Sequence, residues 1–160
     1  MRHAVTRWAA AIAAALLALV ALDGGERGLA APKQCTVTAT PVRFGTYLPF
    51  ASADTLANGA VSYSCTASTP VVITLDRGSS GSYNPRTMRQ GASLLAYNLY
   101  LDPPNKLIWG DGTGGTGFYT NATPPPNTTI TLGVYGRIPA QQHAVRPGTY
   151  MDTITVQVQF

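Results

Sequence analysis

The sequence feature that most constrains the fold is an alternating stretch at residues 150–160. Apolar side chains occupy Ile154, Val156 and Val158, and hydroxyl or amide side chains stand between them. This two-residue period is that of a β-strand with one buried face. The printed sequence ends on the same face with Phe160. Because chain ends fray unless they are held, we expect the rest of the fold or another protein to hold this strand.

Strand patterns recur along the preceding residues, whereas helical apolar spacing is absent after residue 30. The other predicted strands are Cys35–Thr40, Val42–Gly45, Ala60–Thr66, Val71–Leu75, Leu94–Leu101, Lys106–Trp109 and Thr128–Tyr135. Turn-forming segments separate them, and Asp102–Asn105 is predicted to be a hairpin connection. Many short strands without covering helices predict an all-β protein, an antiparallel β-sandwich.

Residues 1–30 have the pattern of a secretory signal peptide. Basic residues up to Arg7 precede an uncharged apolar run, residues 8–22, and small residues follow. The alternative is a membrane anchor, but the run is short for the ~20 residues of a membrane helix. We expect cleavage after Ala30, with Ala21 and Ala31 as alternatives. No other segment is apolar enough to span a membrane.

The remaining residues, 31–160, have the length of one domain. The formal net charge of the full sequence is +4, and the basic residues are scattered. Binding to a nucleic acid needs basic residues concentrated on one face. We therefore expect an exported protein without a nucleic-acid partner, in the periplasm during transit and then at the cell surface or outside the cell.

The two cysteines, Cys35 and Cys65, are predicted to form a disulfide, because an exported protein folds in an oxidising compartment. On the chain-entropy view such a loop closure contributes roughly 3–4 kcal/mol. The alternative is a metal or redox site. His143 is the only histidine after the signal peptide and no CxxC motif is present, so four soft metal ligands cannot be assembled. We expect neither a metal nor a cofactor.

No catalytic residues are predicted, and the protein is not expected to be an enzyme. His143 lies alone in a polar loop, without a sequence pattern that places a nucleophile beside it. Asp152 differs from the other acidic residues because it lies on the apolar side of the last strand. We expect it at the sheet margin or paired with a basic or hydroxyl group. The other acids of this region flank turns: Asp54, Asp76, Asp102 and Asp111.

Aromatic residues support an alternative function, a self-contained secreted surface or carbohydrate-binding module. Its candidate stacking residues are Trp109, Tyr119 and Tyr100. Tyr97 and Tyr100 have opposite parity on one strand, so one of this pair is expected to be exposed. The competing use of these rings is core or cross-strand packing.

Six segments follow one another across nearly all of residues 35–160: Cys35–Val37, Phe44–Phe50, Val61–Cys65, Leu95–Asp102, Tyr135–Ala140 and Pro147–Phe160. In this order they resemble the spore coat protein U domain family, which is similar to the subunits of archaic chaperone–usher pili. The resemblance implies an immunoglobulin-like sandwich that lacks its final strand.

The resemblance also implies a function, that of an exported structural or adhesive subunit of a surface appendage. A periplasmic chaperone lends the missing strand, and an usher and other pilus subunits are the further partners. By this resemblance, the strand-accepting edge of the family corresponds in this sequence to Tyr150, Ile154, Val156, Val158 and Phe160. Each such side chain gains roughly 1.5–3 kcal/mol when it is buried.

One departure from this family pattern concerns the donor strand that a polymerising subunit offers from its N-terminus. Cleavage after Ala30 leaves only Ala31–Gln34 before the first cysteine, and these residues do not alternate. We therefore expect a subunit that accepts a strand without giving one, as a tip or cap does. The alternative is a surface or coat protein that does not polymerise in this way.

Overall fold

The computed structural model describes residues 32–160, so the predicted signal peptide and its alternative cleavage positions lie outside the described residues. Within them the one helical element is a single 3-10 turn, Gly78–Ser80. No helix between residues 32 and 160 is long and apolar enough to cross a membrane. The strands are β1 (Cys35–Thr40), β2 (Thr55–Cys65), β3 (Val71–Leu75), β4 (Arg86–Gln90), β5 (Ser93–Tyr100), β6 (Tyr119–Asn121), β7 (Ile130–Ile138) and β8 (Val156–Gln159).

The strands form two antiparallel sheets, and the predicted all-β sandwich is confirmed. The larger sheet has the order β1-β2-β7-β5-β4, and the smaller has the order β6-β3-β8. Both sheets contribute to one hydrophobic core, in which Tyr63, Ile73 and Trp109 are almost fully buried. The arrangement is consistent with an immunoglobulin-like sandwich.

The two sheets are joined at one side by the segment that follows the Asp102–Asn105 turn. This turn is the predicted hairpin connection, closed by a hydrogen bond from the Asn105 N–H to the Asp102 carbonyl (3.0 Å). The returning chain lies beside β5, where the Trp109 N–H donates to the Leu99 carbonyl (2.9 Å). The next residue then accepts a hydrogen bond from β3. The larger sheet therefore continues, through this segment, into the smaller one.

Successive N–H groups of β3 show on which side β8 lies. The Leu75 N–H donates to the Gly110 carbonyl (3.2 Å), whereas the Asp76 N–H donates to the Thr155 carbonyl beside β8 (3.1 Å). Consecutive N–H groups of a strand point in opposite directions, so β8 lies on the far side of β3 from the joining segment. The curled sheet consequently runs from β1 to β8, and each of these two strands has a paired strand on one side only, while β4 and β6 are the other end strands of the two sheets.

The observed strands differ from the predicted ones in several places. The predicted strand Lys106–Trp109 is not a regular strand and forms only isolated bridges, at Ile108 and Trp109. Residues 42–45 are not a strand; they cross the inner face of the larger sheet, where Val42 and Phe44 approach Gly136 so closely that a Cβ there would lie 2.6–2.7 Å from them. Within residues 150–160 only β8 is a regular strand, and Met151 forms an isolated bridge with Arg89 of β4. β4 and β6 were not predicted, because neither shows apolar alternation.

Candidate functional site

At the free edge of β8, the residues whose backbone groups point outward are the same residues that carry the apolar side chains. Residue 157 of β8 pairs with Thr74 and Val158 pairs with Ile73. Because the Thr155 carbonyl points toward β3, the odd residues of β8 face β3 with their backbone groups and the even residues face away. The N–H and C=O groups of Val156 and Val158 therefore point to the open side.

The free edge of β1 has the same property. The Thr66 N–H donates to the Gln34 carbonyl (2.9 Å), so the even residues of β1 direct their backbone groups toward β2. The odd residues, Val37 and Ala39, therefore have backbone groups that point outward. Their side chains share a face with the buried Tyr63, since opposite residues of an antiparallel pair lie on the same face.

Exposure distinguishes these edges from the rest of the core. Ile73, which pairs with Val158, has no exposed surface, whereas Val158 and Val156 are only half-buried. Phe160, just after β8, is 54% exposed, and on the β1 edge Val37 is 38% exposed although it is directed toward the core. Both edges thus carry core-directed apolar side chains that are incompletely covered, and the two edges together are here called the β1/β8 groove.

The predicted disulfide is confirmed and lies at one end of the β1/β8 groove. Cys35 and Cys65 are the opposite pair at the end of the β1–β2 ladder, with their Cα atoms 4.1 Å apart. Both sulfurs belong to the core face, and Cys65 is buried. The bond therefore fastens the edge strand β1, which has a neighbour on one side only.

Tyr150 and Ile154 precede β8 and have different surroundings. The Tyr150 hydroxyl accepts a hydrogen bond from the Arg146 N–H (3.0 Å), donates to the Arg146 carbonyl (2.9 Å) and contacts the Ser93 hydroxyl. Tyr150 thus lies near the start of β5, while Ile154 approaches Gly78 after β3. Of the five predicted edge residues, Ile154, Val156, Val158 and Phe160 follow the β8 line and Tyr150 does not.

Asp152 has a hydroxyl partner, as the sequence predicted. Its Oδ2 accepts a hydrogen bond from the Tyr97 hydroxyl (2.7 Å), and its Oδ1 accepts one from the Ser79 N–H (2.9 Å). Burial and this bond to Asp152 both raise the pKa of Tyr97. The contact fixes the segment that leads into β8 against β5.

Asp76 fastens the start of β8 to the end of β3. Its Oδ1 accepts hydrogen bonds from the Thr155 and Gly78 N–H groups, each 3.0 Å long. Burial opposes ionisation, but these hydrogen bonds and the charge of Arg86 outweigh it, so the pKa of Asp76 is lowered. The carboxylate form is therefore the one that holds β8.

This pKa shift predicts an acid-dependent loss of stability. Because the folded pKa lies below the unfolded one, the stabilisation by Asp76 is present above about pH 4 and is lost as the pH falls through the folded value. We expect Asp76→Asn to lower stability at neutral pH and to weaken the dependence of stability on pH below about pH 4. Urea unfolding at a series of pH values measures both effects, and parallel pH profiles for the two proteins would contradict the prediction.

Two of the three aromatic residues of the alternative carbohydrate site, Trp109 and Tyr100, are buried, and that interpretation is wrong for these two. Trp109 has no exposed surface, and its Nε1–H donates to the Ile73 carbonyl (3.0 Å). Tyr97 and Tyr100 are both buried, although one was expected to be exposed. Tyr119 is half-buried and its hydroxyl is bonded to that of Tyr63 (3.1 Å). Trp109, Tyr97 and Tyr119 pack the core, whereas Tyr100 lies opposite Tyr135 of β7 and is covered on that side of the sheet.

The lone histidine has an aromatic neighbour. The His143 ring stacks on Phe50, with the ring centroids 4.9 Å apart, and Phe50 is 78% exposed. Between residues 32 and 160 no group of three His, Cys, Asp or Glu side chains is placed to hold a metal ion.

Two polar side chains that the sequence analysis did not single out have structural roles. Arg86 is completely buried and donates to the Asp76 and Trp109 carbonyls and to Asn98 Oδ1. Gln142 bonds both the N–H and the carbonyl of Ala96 through its side-chain amide (2.8 and 2.9 Å). Gln142 thus pairs with β5 as a strand residue would. A lone Arg or Gln in a sequence gives no signal of such partners.

Comparison with known proteins identifies a family and a similar solved structure. The sequence profile of the Spore Coat Protein U domain family matches residues 24–157. The chain is also similar to a chain in the crystal structure of the CsuC–CsuE chaperone–tip adhesion subunit pre-assembly complex, from archaic chaperone–usher Csu pili of Acinetobacter baumannii. Their sequences are 28% identical with a TM-score of 0.59, and the match covers 81% of this chain but only 40% of that one. No curated protein sequence matches. The chain belongs to the Spore Coat Protein U domain family.

Proposed function

We propose that this protein is an exported structural or adhesive subunit of a chaperone–usher type pilus, and that its β1/β8 groove accepts a β-strand from a partner. The observation that carries the proposal is the coincidence of two properties at both free edges. Residues such as Val37 and Val158 direct incompletely covered apolar side chains toward the core and unpaired backbone groups outward from the strand edge. An extended peptide satisfies both at once, which is the principle of β-strand addition.

The energetics favour a partner strand in this groove. Burying a Val, Ile or Phe side chain stabilises by roughly 1.5–3 kcal/mol. Four residues along the β8 edge and Val37 on the other edge forgo part of this gain. An unpaired apolar edge also invites aggregation, so such a protein benefits from a chaperone during export.

The similarity to a pilus structure supports the choice of partners. The solved complex joins a chaperone to a tip adhesion subunit, which makes a periplasmic chaperone the first donor to consider for this chain. The usher and other pilus subunits are then the later partners. Residues 31–34 lack apolar alternation, which supports a subunit that accepts a strand without offering one, as at a tip. A structural role of this kind needs no catalytic group.

Aspartate substitutions on the two faces of β8 test the proposal. We expect Val156→Asp with Val158→Asp to abolish co-purification with a co-expressed chaperone of the CsuC type, because charges would enter the groove. Gln157→Asp with Gln159→Asp is the matched control, since these side chains are exposed on the other face and their loss should leave the complex intact.

Two outcomes would contradict the proposal. One is an equal chaperone yield from both double variants. The other is an unaltered protein that stays monomeric and monodisperse in the periplasm without any chaperone.

A further inference from the structure

The outer face of the larger sheet carries a concave site that is distinct from the β1/β8 groove. Tyr135 of β7 points away from the core, between the buried Val134 and residue 136, and pairs with Asn58 of β2. A cavity of about 260 Å³ lies there, between the sheet and the turn after β5. Its walls include Leu56, Asn58, Pro103, Asn105 and Tyr135. It is slightly smaller than the roughly 300–1,000 Å³ of pockets for drug-sized ligands, which suits a single small ring.

Gly133 determines how the Tyr135 ring lies. A Cβ atom at Gly133 would lie 2.7 Å from the Tyr135 hydroxyl oxygen and 2.8 Å from Cζ. The ring therefore extends along β7 over Gly133 instead of standing out from the sheet. Because Tyr135 is only half-buried, one side of the ring faces solvent beside the cavity.

The polar groups around the ring are neutral. Asn58 stands directly opposite Tyr135, and Asn105 lines the same cavity from the turn, where its buried Oδ1 accepts no hydrogen bond from any described residue. None of the lining residues is charged. The neighbouring Arg137 is ion-paired with Asp54, with 3.0 Å between Nε and Oδ2, although without hydrogen-bond geometry.

We infer that this site binds a neutral pyranose sugar, with the sugar ring on Tyr135 and its hydroxyl groups on Asn58 and Asn105. A pyranose has a C–H face that packs on an aromatic ring, and hydroxyl groups that match amide donors and acceptors. A charged ligand would meet no opposite charge in the lining. The inference does not depend on the strand-accepting role, because the site lies on the other face of the sheet.

Saturation-transfer NMR on the secreted chain tests this inference, with the methyl glycosides of glucose, galactose, mannose and N-acetylglucosamine as probes. We expect at least one glycoside to bind the unaltered protein and Tyr135→Phe. Tyr135→Ala and Gly133→Ala should each weaken binding about ten-fold or more, the first by removing the ring and the second by displacing it.

Circular dichroism and thermal unfolding serve as the fold controls. If either alanine variant is misfolded, Asn58→Ala replaces it, since this change removes only an exposed amide and should also weaken binding. The absence of signal from all four glycosides with the unaltered protein would overturn the inference. The inference would also be overturned if any of these three alanine variants folds correctly and binds the glycoside as tightly as the unaltered protein does.

Discussion

A strand joined to Phe160 by a two-residue turn, with apolar residues at alternate positions, is expected to raise the midpoint of thermal unfolding by more than about 10 °C. The added strand would run antiparallel to β8 and use the N–H and C=O groups of Val156 and Val158 that point away from β3. The first residue after the turn pairs with Phe160 and shares its face. Apolar residues therefore belong at that position and at every second one after it.

Several contributions to this stabilisation have known magnitudes. Each buried apolar side chain of the added strand contributes roughly 1.5–3 kcal/mol and each new hydrogen bond about 1 kcal/mol. Ordering the strand costs roughly 1–2 kcal/mol per residue and offsets much of this. The strand would also cover Val37, Val156 and Val158, which are already ordered in this fold but remain exposed in part. Burying these side chains costs no further conformational entropy. The sum of these free-energy contributions therefore favours the folded protein with the added strand.

A register-shifted strand of the same composition is the matched control. Moving every apolar residue by one position directs the apolar side chains to solvent and polar ones to the groove. We expect this protein to unfold near the temperature of the unextended chain. Thermal unfolding followed by circular dichroism measures all three proteins. Equal stabilisation by both strands, or by neither, would contradict a groove between β1 and β8.

Local sequence patterns were enough to predict the strands that are stabilised by burying one face. β1 and β3 match their predicted bounds, because their apolar alternation or β-branched run is uninterrupted. The Cys35–Cys65 bond followed from the compartment and the cysteine count. The hydroxyl partner of Asp152 followed from its position on an apolar face, where a carboxylate needs a hydrogen-bond donor.

Other features depend on partners that are distant in sequence and could not be predicted. β4 places Arg86 and Met88 toward the core, and an inward arginine looks like a break in the apolar pattern. Alternation around Val156 and Val158 indicates which face of a strand is apolar but not whether another element covers it. The incomplete burial that defines the groove was therefore visible only in three dimensions. The exposure of Tyr135 likewise depends on Gly133 and on a turn from another part of the chain.

Replacing Arg86 with methionine is expected to lower the free energy of unfolding by about 3–5 kcal/mol. The guanidinium group has no exposed surface, and it donates twice to the Asp76 carbonyl (3.0 and 2.7 Å) and once to the Trp109 carbonyl (2.7 Å). It thereby connects β4 to the end of β3 and to the segment that joins the sheets. Methionine fills similar volume but leaves these buried acceptors without donors, and each unmet group costs roughly 1–3 kcal/mol.

Arg89→Met is the matched control for Arg86→Met, because Arg89 lies on the same strand with its side chain exposed. Its single side-chain hydrogen bond, to the Ser79 carbonyl, is 3.4 Å long, so we expect a change below about 0.5 kcal/mol. Urea unfolding at neutral pH measures both variants, with the complementing strand attached so that each stays monomeric. A cost below about 1 kcal/mol for Arg86→Met would mean that water or relaxation satisfies these carbonyls. A large cost would make Arg86 the polar centre that holds β4 to the end of β3 and to the segment that joins the two sheets.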